Sequence, residues 1–552
     1  MTMSKMGPFA HTTMLGRYSH DLPGGGKESW EDIGLRVPVG VFSAIPGIDS
    51  DIVDDAVRYV QRRAIMPAGR YLYATGRPFH QTNNCMLFRV EDSREGWAEL
   101  KYKAFMALMT GAGIGGYYGA VRGANEIIAR TGGLASGPLA LMRSVNEDGR
   151  EVMQGGSRRA AVWAGLPWWH SDIFDFIRLK DWSPEVRALK EKDFNFPAPM
   201  DMTNISVCLD DEFFDAYFDH GNPQHKHAQN VYWTVIKRMR KTGEPGFSIN
   251  CGENWNEVLR NACTEITSED DSDVCNLAHG VLPRVKDLDE WAKIVRTTTA
   301  FCLAGSVYSD VPFEGVKVVR EKNRRLGVGH MGMHEWLMRR GKPYGEDSEL
   351  EDWFRIYEEV TEETADELSA EWGLSRPVKL RAIAPTGTTG IVAETTTGIE
   401  PMICAAYKRR YLEQGTKWKY QYVVDPVARR MVDDFGVDPN DLEDAYTLAE
   451  DPERRISTQA WAQQFVDHGI SSTLNLPSWG SKHNNEGHIE EFGTMLLRYL
   501  PKLRGITTYP DGSRGGQPIT TIRYEEAVKH EGEIFEESID ICDLTGGSSC
   551  GD

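Results

Sequence analysis

The sequence predicts an α/β fold in which helices alternate with parallel strands. Apolar residues recur at helical spacing over residues 209–243 and 347–372, and strand-like apolar runs separate these helical stretches. The length of 552 residues suits either several domains or one large α/β barrel with attachments. Hydrophobic residues at 40% and aromatic residues at 10% are typical of a folded enzyme and exclude a disordered chain.

We divide the chain into three parts. Residues 1–65 form an N-terminal segment rich in glycine and proline, which ends in a short amphipathic helix over residues 51–64. Residues 66–523 form the main body of the protein. Residues 524–552 are acidic and then rich in glycine and serine, so we expect a mobile tail there.

Charge and cysteine content narrow the class of protein. The net charge of −20 argues against a broad nucleic-acid-binding face, which needs a basic surface. The N-terminus has no apolar core of signal-peptide length, and the longest uncharged stretch, 104–121, is too rich in glycine and threonine for a membrane span. The odd number of cysteines, nine, points to thiols and not to a disulfide framework. We therefore expect a cytoplasmic enzyme.

Residues 111–116, Gly-Ala-Gly-Ile-Gly-Gly, match the G-x-G-x-x-G pattern of dinucleotide-binding folds. They follow a helical run, KYKAFMALMT, where a dinucleotide-binding fold requires a strand. We therefore interpret them as a tight glycine loop that lets two backbones approach closely.

A second pattern places three reactive side chains close together. Asn261, Cys263 and Glu265 lie at positions i, i+2 and i+4, so in an extended segment all three side chains face the same way. This set suits radical chemistry at a ribose, because sulfur can abstract a hydrogen atom, the carboxylate can take a hydroxyl proton and the amide can fix the substrate. The pattern alone leaves open a buried structural cysteine beside a surface glutamate.

Four further cysteines fit a redox role. Cys85 and Cys275 could supply two electrons to a substrate, and Cys542 and Cys550 could then re-reduce the resulting disulfide by thiol–disulfide exchange. The alternative for the second pair is a metal clip, although their spacing and the lack of nearby ligands suit that function poorly.

Two stretches suit the binding of anions. Residues 384–390, APTGTTG, leave backbone N–H groups free for a phosphate, particularly at the N-terminus of a helix, and a plain turn is the alternative. Residues 154–159, QGGSRR, place two guanidinium groups on a flexible loop suited to phosphate or base contacts, and a solvated turn is the alternative.

These motifs together resemble the catalytic (large) chain of the ribonucleotide reductases. The resemblance extends from about Met66 to Gln517, and its motifs occur in the family's order: NNCML, VEDS before GAGIGG, ARTGGLASGP, QGGSRRAA, NACTE, DVCNL, RRLGVGHMGM, APTGTTG with TTTGIEP, and GITTYPDGSR. The implied fold is the family's ten-stranded α/β barrel, with Cys263 on a finger loop that passes through its centre. The implied activity is the reduction of ribonucleoside diphosphates to 2′-deoxyribonucleotides, which supplies DNA replication.

The resemblance implies a role for each member of the Asn-Cys-Glu set. Cys263 would be the thiyl radical that takes the 3′ hydrogen of the ribose. Glu265 would be the general base at the 3′ hydroxyl, and Asn261 would hold the 2′ and 3′ hydroxyls.

It also implies two redox pairs. Cys85 and Cys275 would be oxidised to a disulfide as the 2′ hydroxyl leaves as water. Cys542 and Cys550 would form a shuttle in the tail that receives electrons from thioredoxin or glutaredoxin.

Three nucleotide-contacting regions follow from the same resemblance. The substrate phosphates would bind at Thr386, Gly387, Thr388, Thr389 and Gly390. A deoxynucleoside triphosphate effector (dTTP, dATP or dGTP, with Mg²⁺) would bind at the interface of a homodimer, at Asp92, Ser93, Arg122 and Arg130. The loop that relays the identity of this effector to the base pocket would comprise Gln154, Gly155, Gly156, Ser157, Arg158 and Arg159.

The resemblance allows two sources for the radical. Reductases served by a ferritin-like subunit usually carry two adjacent tyrosines near the C-terminal strand, whereas here Tyr509 is followed by Pro510, and GITTYPDGSR and RRLGVGHMGM look closer to the adenosylcobalamin-dependent class. Short phage-type reductases with such motifs also occur beside a ferritin-like partner, and this short chain has no space for the cobalamin-class extensions. We expect a ferritin-like dimetal subunit as the radical source, with Tyr509 among the catalytic residues, and adenosylcobalamin as the alternative.

The departures from the family imply further expectations. The chain has no space before the barrel for the N-terminal ATP-binding cone, so we expect no on/off regulation by ATP and dATP.

Two other classes of protein remain as alternatives: a glycyl-radical lyase, whose glycine motif we do not find, and a nucleotide sensor without activity.

Overall fold

A computed structural model describes residues 6–152, 160–192, 196–413, 417–513 and 519–535. Its α-helices are α1 Pro8–Arg17, α2 Trp30–Phe42, α3 Ser50–Gln61, α4 Gly69–Ala74, α5 Arg94–Met109, α6 Pro138–Glu151, α7 Ile173–Ile177, α8 Pro184–Lys192, α9 Asp211–Phe218, α10 His225–Thr242, α11 Leu288–Tyr308, α12 Glu314–Asn323, α13 Met333–Met338, α14 Ser348–Glu371, α15 Gly387–Ala393, α16 Pro426–Phe435, α17 Ala445–Leu448, α18 Pro452–Gln463, α19 Ile489–Tyr499 and α20 Tyr524–Lys529. Its strands are β1 Ile65–Pro67, β2 Cys85–Arg89, β3 Gly113–Tyr117, β4 Ile127–Ile128, β5 Gly133–Leu134, β6 Val162–Pro167, β7 Thr203–Asp210, β8 Gly246–Asn250, β9 Leu259–Arg260, β10 Thr267–Ser268, β11 Asp273–Val281, β12 Leu326–Met331, β13 Ala406–Glu413, β14 Lys417–Val424, β15 Thr473–Leu476, β16 Gly505–Pro510, β17 Ile519–Thr521 and β18 Ile534–Phe535.

Ten strands form one sheet in the order β1-β11-β2-β3-β6-β7-β8-β16-β15, and β12 also pairs with β11. Strands β2, β3, β6, β7 and β8 run parallel to one another, with helices between them. This half meets the other strands through two antiparallel pairs, β2 with β11 and β8 with β16. The expected ten-stranded α/β fold with parallel strands is confirmed.

Isolated bridges connect the two ends of this sheet. Val328 of β12 pairs in parallel with Arg381, and Ile383 pairs in parallel with Ile470, three residues before β15. The sheet therefore returns from β12 to β15 and encloses the short hairpin β9–β10, whose strands, within the described part of the chain, pair only with each other. We call residues 259–268 the finger.

The helices cover the sheet because their apolar faces are buried against it. The long helices α11 and α14 begin at aspartate caps, Asp287 and Asp347, whose side chains accept hydrogen bonds from backbone N–H groups of the first turn. Trp291 of α11 is fully buried and donates a hydrogen bond from its indole N–H to the backbone of α14. The predicted helices at 209–243 and 347–372 are confirmed as α9, α10 and α14. None of the described helices is long and apolar enough to cross a membrane.

The structure differs from the expected N-terminal segment and tail. The region before residue 65 contains three helices and not one, and α1 and α2 share a hydrophobic core with the barrel through buried residues such as Trp30 and Val37. The expected tail begins too early, because residues 524–535 form α20 and β18 on the hairpin β13–β14. Ala527 is fully buried there against Ala406 and Val424. Residues 536–552 lie outside the described part of the chain.

Candidate active site

The finger places Cys263 at the centre of the barrel. Residues 262–264 form its turn, and Thr264 adopts the left-handed conformation, with φ 68°. The expected extended segment with three side chains on one face is therefore wrong, because the chain reverses direction at this point. Cys263 lies half-buried at the tip, whereas Asn261 and Glu265 are buried on either side of the turn.

Asn261 stabilises the turn of the finger through hydrogen bonds. Its side-chain carbonyl accepts a hydrogen bond from the N–H of Ile266 at 3.0 Å, and its amide nitrogen lies 3.2 Å from the sulfur of Cys85. The backbone of Asn261 also accepts a hydrogen bond from Thr264 at 3.1 Å. Asn261 thus connects the turn that carries Cys263 to the thiol on β2.

Glu265 is a buried carboxyl group, and one of its oxygens has no hydrogen-bond partner among the residues that the structure describes. Its side chain is 1% exposed, and Oε2 is the unpartnered oxygen. Burial raises the pKa of Glu265 to about 7, although the Asn261 side chain partly offsets the effect. A carboxyl group with this pKa can exchange a proton at neutral pH, as a general base must.

Cys85 and Cys275 lie directly opposite each other in the antiparallel pair of β2 and β11. Opposite residues in such a pair have Cα atoms about 4.5–5.5 Å apart, which is within the range that a disulfide spans. Both residues are buried and neither forms a disulfide, and burial raises the pKa of Cys275 well above its usual value, with the neighbouring Cys85 adding to the effect. This pair can give up two electrons and form a disulfide without a change of register.

One cavity of about 320 Å³ brings these groups together. Its wall includes Cys85, Cys263 and Glu265, together with residues 384–389. A pocket of this volume lies at the small end of the range for bound small molecules. Two residues that sequence reasoning missed, His279 and Arg70, also line it.

The predicted phosphate-binding stretch forms the start of α15. Thr386 precedes the helix in the left-handed conformation, with φ 43°, and its hydroxyl accepts a hydrogen bond from Gly398. No side chain caps the N-terminus of α15. The first backbone N–H groups of a helix have no partner within it, so these donors are available at the cavity wall.

The base of the finger is held by a buried ion network. Glu257, just before β9, forms ion pairs with Lys379, with Arg325 at 3.1 Å and with Arg504 at 3.0 Å. Although burial raises the pKa of Glu257, the three cations outweigh this effect and lower it far below its usual value. Thr267 at the other side of the finger donates a hydrogen bond to Glu257 at 2.8 Å. The network fixes the finger to the starts of β12 and β16, which follow Arg325 and Arg504, and to the segment that carries Lys379.

Three of the four glycines of the sequence GAGIGG, Gly113, Gly115 and Gly116, belong to strand β3 and not to the expected loop, whereas Gly111 lies in the turn before it with φ 85°. The close approach of two backbones is nevertheless present, because a Cβ atom on Gly115 would lie 1.7 Å from the carbonyl oxygen of Arg260 in the finger. The strand is buried and pairs in parallel with β2 and β6, which is why the pattern does not form a nucleotide-binding turn.

Substitution of Gly115 by alanine should displace the finger. The added methyl group meets backbone, which cannot rotate away, so we expect a loss of stability of about 1–3 kcal/mol and a fall in turnover of at least about hundredfold. Thermal unfolding and steady-state kinetics measure the two effects. Gly24→Ala, at a position with open space around it, is the matched control. Wild-type turnover in Gly115→Ala would contradict the packing described above.

The candidate effector residues lie beyond the C-terminal ends of β2 and β3. Asp92 accepts a hydrogen bond from Arg122 at 2.7 Å, and Ser93 caps α5 by accepting from Gly96 at 2.9 Å. Arg130 is exposed in the turn between β4 and β5, and Arg122 approaches the first residue of that hairpin, Ile127, at 3.5 Å. The structure thus places Asp92, Ser93 and Arg122 together, with Arg130 on the adjacent hairpin.

Other predicted residues lie apart from the cavity or outside the described chain. Tyr509 is half-buried on β16, opposite Asn475, and does not line the cavity. Gln154, Gly155, Gly156, Ser157, Arg158 and Arg159 lie outside the described residues, although Ala161, two residues further on, lines the cavity. Cys542 and Cys550 also lie outside them.

Comparisons with known proteins agree with the fold. The family described as ribonucleotide reductase, barrel domain, matches residues 83–237, 219–376 and 375–509. A vitamin B12-dependent ribonucleoside-diphosphate reductase of Thermoplasma acidophilum is 26% identical over 85% of this chain and 66% of its own length. A protein of the same name from Mycobacterium tuberculosis is 24% identical over 94% of this chain and 81% of its own length. A protein of Mycobacterium phage D29, provisionally named adenosylcobalamin-dependent ribonucleoside-triphosphate reductase, is 27% identical over 80% of this chain and 73% of its own length.

Proposed function

Because the chain belongs to the ribonucleotide reductase family, we propose that it reduces ribonucleotides to 2′-deoxyribonucleotides in the cavity at the tip of the finger. The observation that supports this proposal most directly is the meeting of Cys263, Glu265 and Cys85 at one cavity, with Cys275 directly opposite Cys85 on the neighbouring strand. A nucleotide sensor needs no such set of thiols. A glycyl-radical lyase needs no opposed pair that gives up two electrons.

The proposed reaction balances with these residues alone. The Cys263 thiyl radical takes the 3′ hydrogen atom of the ribose, and Glu265 takes the proton of the 3′ hydroxyl. The 2′ hydroxyl then leaves as water with the proton of one thiol of the pair, the 2′ carbon receives the hydrogen of the other thiol, and Cys85 and Cys275 become a disulfide as the ribose gains two electrons. Glu265 returns its proton to the 3′ oxygen. The hydrogen atom returns from Cys263 to the 3′ carbon, which restores the radical.

The environment of each group supports its proposed role. Burial keeps the thiol of Cys275 protonated at neutral pH, so it can serve as a proton donor. Glu265, with a pKa of about 7, can accept a proton at the same pH. The buried amide of Asn261 fixes the position of the turn between them.

We propose ribonucleoside diphosphates as substrates, because the cellular relatives carry that name. The phage relative is named for triphosphates, so both classes belong in the assay. The N-terminus of α15, at residues 386–390, is the proposed site of the phosphates. We also propose that Asp92, Ser93, Arg122 and Arg130 bind a deoxynucleoside triphosphate with Mg²⁺ in a homodimer, and that residues 154–159 relay its identity.

The relatives favour adenosylcobalamin as the radical source over the ferritin-like subunit that the sequence led us to expect. Three of them are named for vitamin B12 or adenosylcobalamin. When bound, this cofactor would supply the radical that Cys263 carries. The cavity of about 320 Å³ is too small for a nucleotide and a corrin ring together, so none of the residues that line it is assigned to the cofactor.

An assay with two arms tests the radical source. Reduction of the four ribonucleoside di- and triphosphates is measured with dithiothreitol and effectors, either with adenosylcobalamin alone or with a ferritin-like subunit. We expect turnover with adenosylcobalamin alone. Turnover only with the subunit would restore the first expectation, and no turnover in either arm would contradict the proposed activity.

A count of product per chain tests the two thiol pairs. After full reduction and removal of the reductant, we expect about two deoxynucleotides per chain from the wild type, because each of the two proposed dithiols supplies two electrons. The double variant Cys542→Ser, Cys550→Ser should give about one, and Cys85→Ser should give none. Product from Cys85→Ser at the wild-type level would contradict the assignment of the Cys85–Cys275 pair.

A further inference from the structure

Part of the wall of the active-site cavity comes from the region before the family match. Arg17 and Tyr18, at the end of α1, and Arg70 and Tyr73, on α4, line the cavity together with residues 384–389. The match to the barrel domain begins at residue 83. The N-terminal helices therefore contribute basic side chains to the wall of the cavity that also includes the start of α15.

Several contacts fix the position of α1. The helix packs against α15, and the N–H of Gly7 donates a hydrogen bond to Glu394 at 2.9 Å, just after α15. Glu394 in turn forms a buried ion pair with Arg63 at 2.8 Å. At the other end of α1 the ring of Tyr18 packs on Gly69, where a Cβ atom would lie 3.1 Å from the phenol oxygen. Arg17 is thus held at the rim of the cavity, beside the first turn of α15.

The two arginines differ in depth. Arg70 is 9% exposed, and its guanidinium donates a hydrogen bond to the backbone carbonyl of Gln81 at 2.7 Å, an acceptor without net charge. Arg17 is exposed, and within the described part of the chain no carboxylate forms an ion pair with it. Arg70 is therefore the buried member of the two, and Arg17 faces the solvent.

Because the whole protein is negatively charged, an anionic ligand needs positively charged side chains at its binding site. The net charge of −20 repels a nucleotide with several phosphates, so local cations must offset that repulsion at the site. A guanidinium group binds phosphate oxygens through two parallel N–H groups, and its charge does not depend on pH in the physiological range.

We propose that Arg17 binds the outermost phosphate of the nucleotide substrate, so that α1 selects substrates by the length of their phosphate chain. This inference rests on the proposed function. The N-terminus of α15 binds the inner phosphate, Arg70 adds positive charge behind it, and Arg17 at the rim reaches only a phosphate that extends beyond the first. A nucleoside monophosphate is too short to reach Arg17.

Steady-state reduction of cytidine mono-, di- and triphosphate, with effectors present, tests the inference. The variants are Arg17→Gln, Arg17→Lys and the control Arg58→Gln, which removes the same charge from an exposed arginine on α3 that does not line the cavity. We expect Arg17→Gln to raise KM for the diphosphate about tenfold, as expected for the loss of one charge-assisted hydrogen bond, with kcat changed less than about twofold. Arg17→Lys should lie between Arg17→Gln and the wild type.

Kinetics with the monophosphate distinguish a role of Arg17 in binding the outermost phosphate from a general loss of activity in Arg17→Gln. Its kcat/KM should be the same in Arg17→Gln and in the wild type, so the preference for the diphosphate should fall about tenfold. An equal loss for the mono- and diphosphate, or an unchanged KM for the diphosphate, would overturn the inference while the proposed function stands. Absence of reduction by the wild type would instead overturn the proposed function.

Discussion

Cys263→Ser is expected to abolish turnover, with a loss of at least about 10³-fold in kcat, because no other group at the tip of the finger can carry the radical. The oxygen–hydrogen bond of serine is stronger than the sulfur–hydrogen bond of cysteine, so a serine at this position cannot form the radical under the same conditions. The half-buried side chain of Cys263 makes a change of one atom tolerable for the fold. Product formation and thermal unfolding of the same preparation measure the two quantities.

Cys251→Ser is the matched control for this prediction. Cys251 is also a free, half-buried cysteine in the same region of the chain, but it does not line the cavity. The variant Cys251→Ser should therefore retain wild-type turnover. Residual turnover of Cys263→Ser above about 0.1 per cent of the wild type would contradict the radical role of Cys263.

The second large effect is expected for Glu265→Gln, which should lose most of its turnover and gain stability. Burial raises the pKa of Glu265 from 4.5 to about 7. The native state therefore holds this proton more tightly than the unfolded chain does. The stabilisation from the protonated carboxyl is complete below pH 4.5 and is lost as the pH rises through about 7.

A glutamine at this position stays neutral at every pH. At pH 8 we therefore expect Glu265→Gln to be more stable than the wild type by about 3 kcal/mol, and the difference should shrink as the pH falls toward 5. Unfolding midpoints in urea at the two pH values measure it. A difference that does not depend on pH would show that Glu265 is ionised in the native state and that its burial has no energetic cost.

Turnover of the wild type should follow the same ionisation in the opposite sense. A general base acts only when it is deprotonated, so kcat/KM should rise as the pH increases through about 7. In Glu265→Gln the residual kcat/KM should not rise with pH in this range.

The sequence predicts the chemical groups of the site better than their arrangement. The thiols, the carboxylate and the glycine–threonine stretch could be named because each is a reactive or flexible residue type within a short motif. The turn at Thr264 could not be predicted from spacing, because it depends on how the finger meets Gly115 and Gly469, which lie far away in the chain. A Cβ atom on Gly469 would come within 3.1 Å of the Thr264 carbonyl oxygen.

Other parts of the site carry no local signal. Glu257, Lys379, Arg325 and Arg504 look like ordinary surface charges in the sequence, and only the closed barrel brings them together. Arg17 belongs to a short helix that we did not predict. The start of α2 did carry a signal, because Ser29 and Asp32 form a capping box, and its spacing can be read directly from the sequence.

The opposed pair Cys85–Cys275 lies where the two halves of the barrel meet. A disulfide between these residues would join strands that are otherwise held together at this point only by hydrogen bonds and packing. In the proposed cycle each turnover would therefore form a covalent bond between the two halves of the barrel, and each reduction would break it. The oxidised protein should therefore be the more rigid form of the barrel. Oxidation of Cys85 and Cys275 would complete a turnover and would also restrict the relative motion of the two halves.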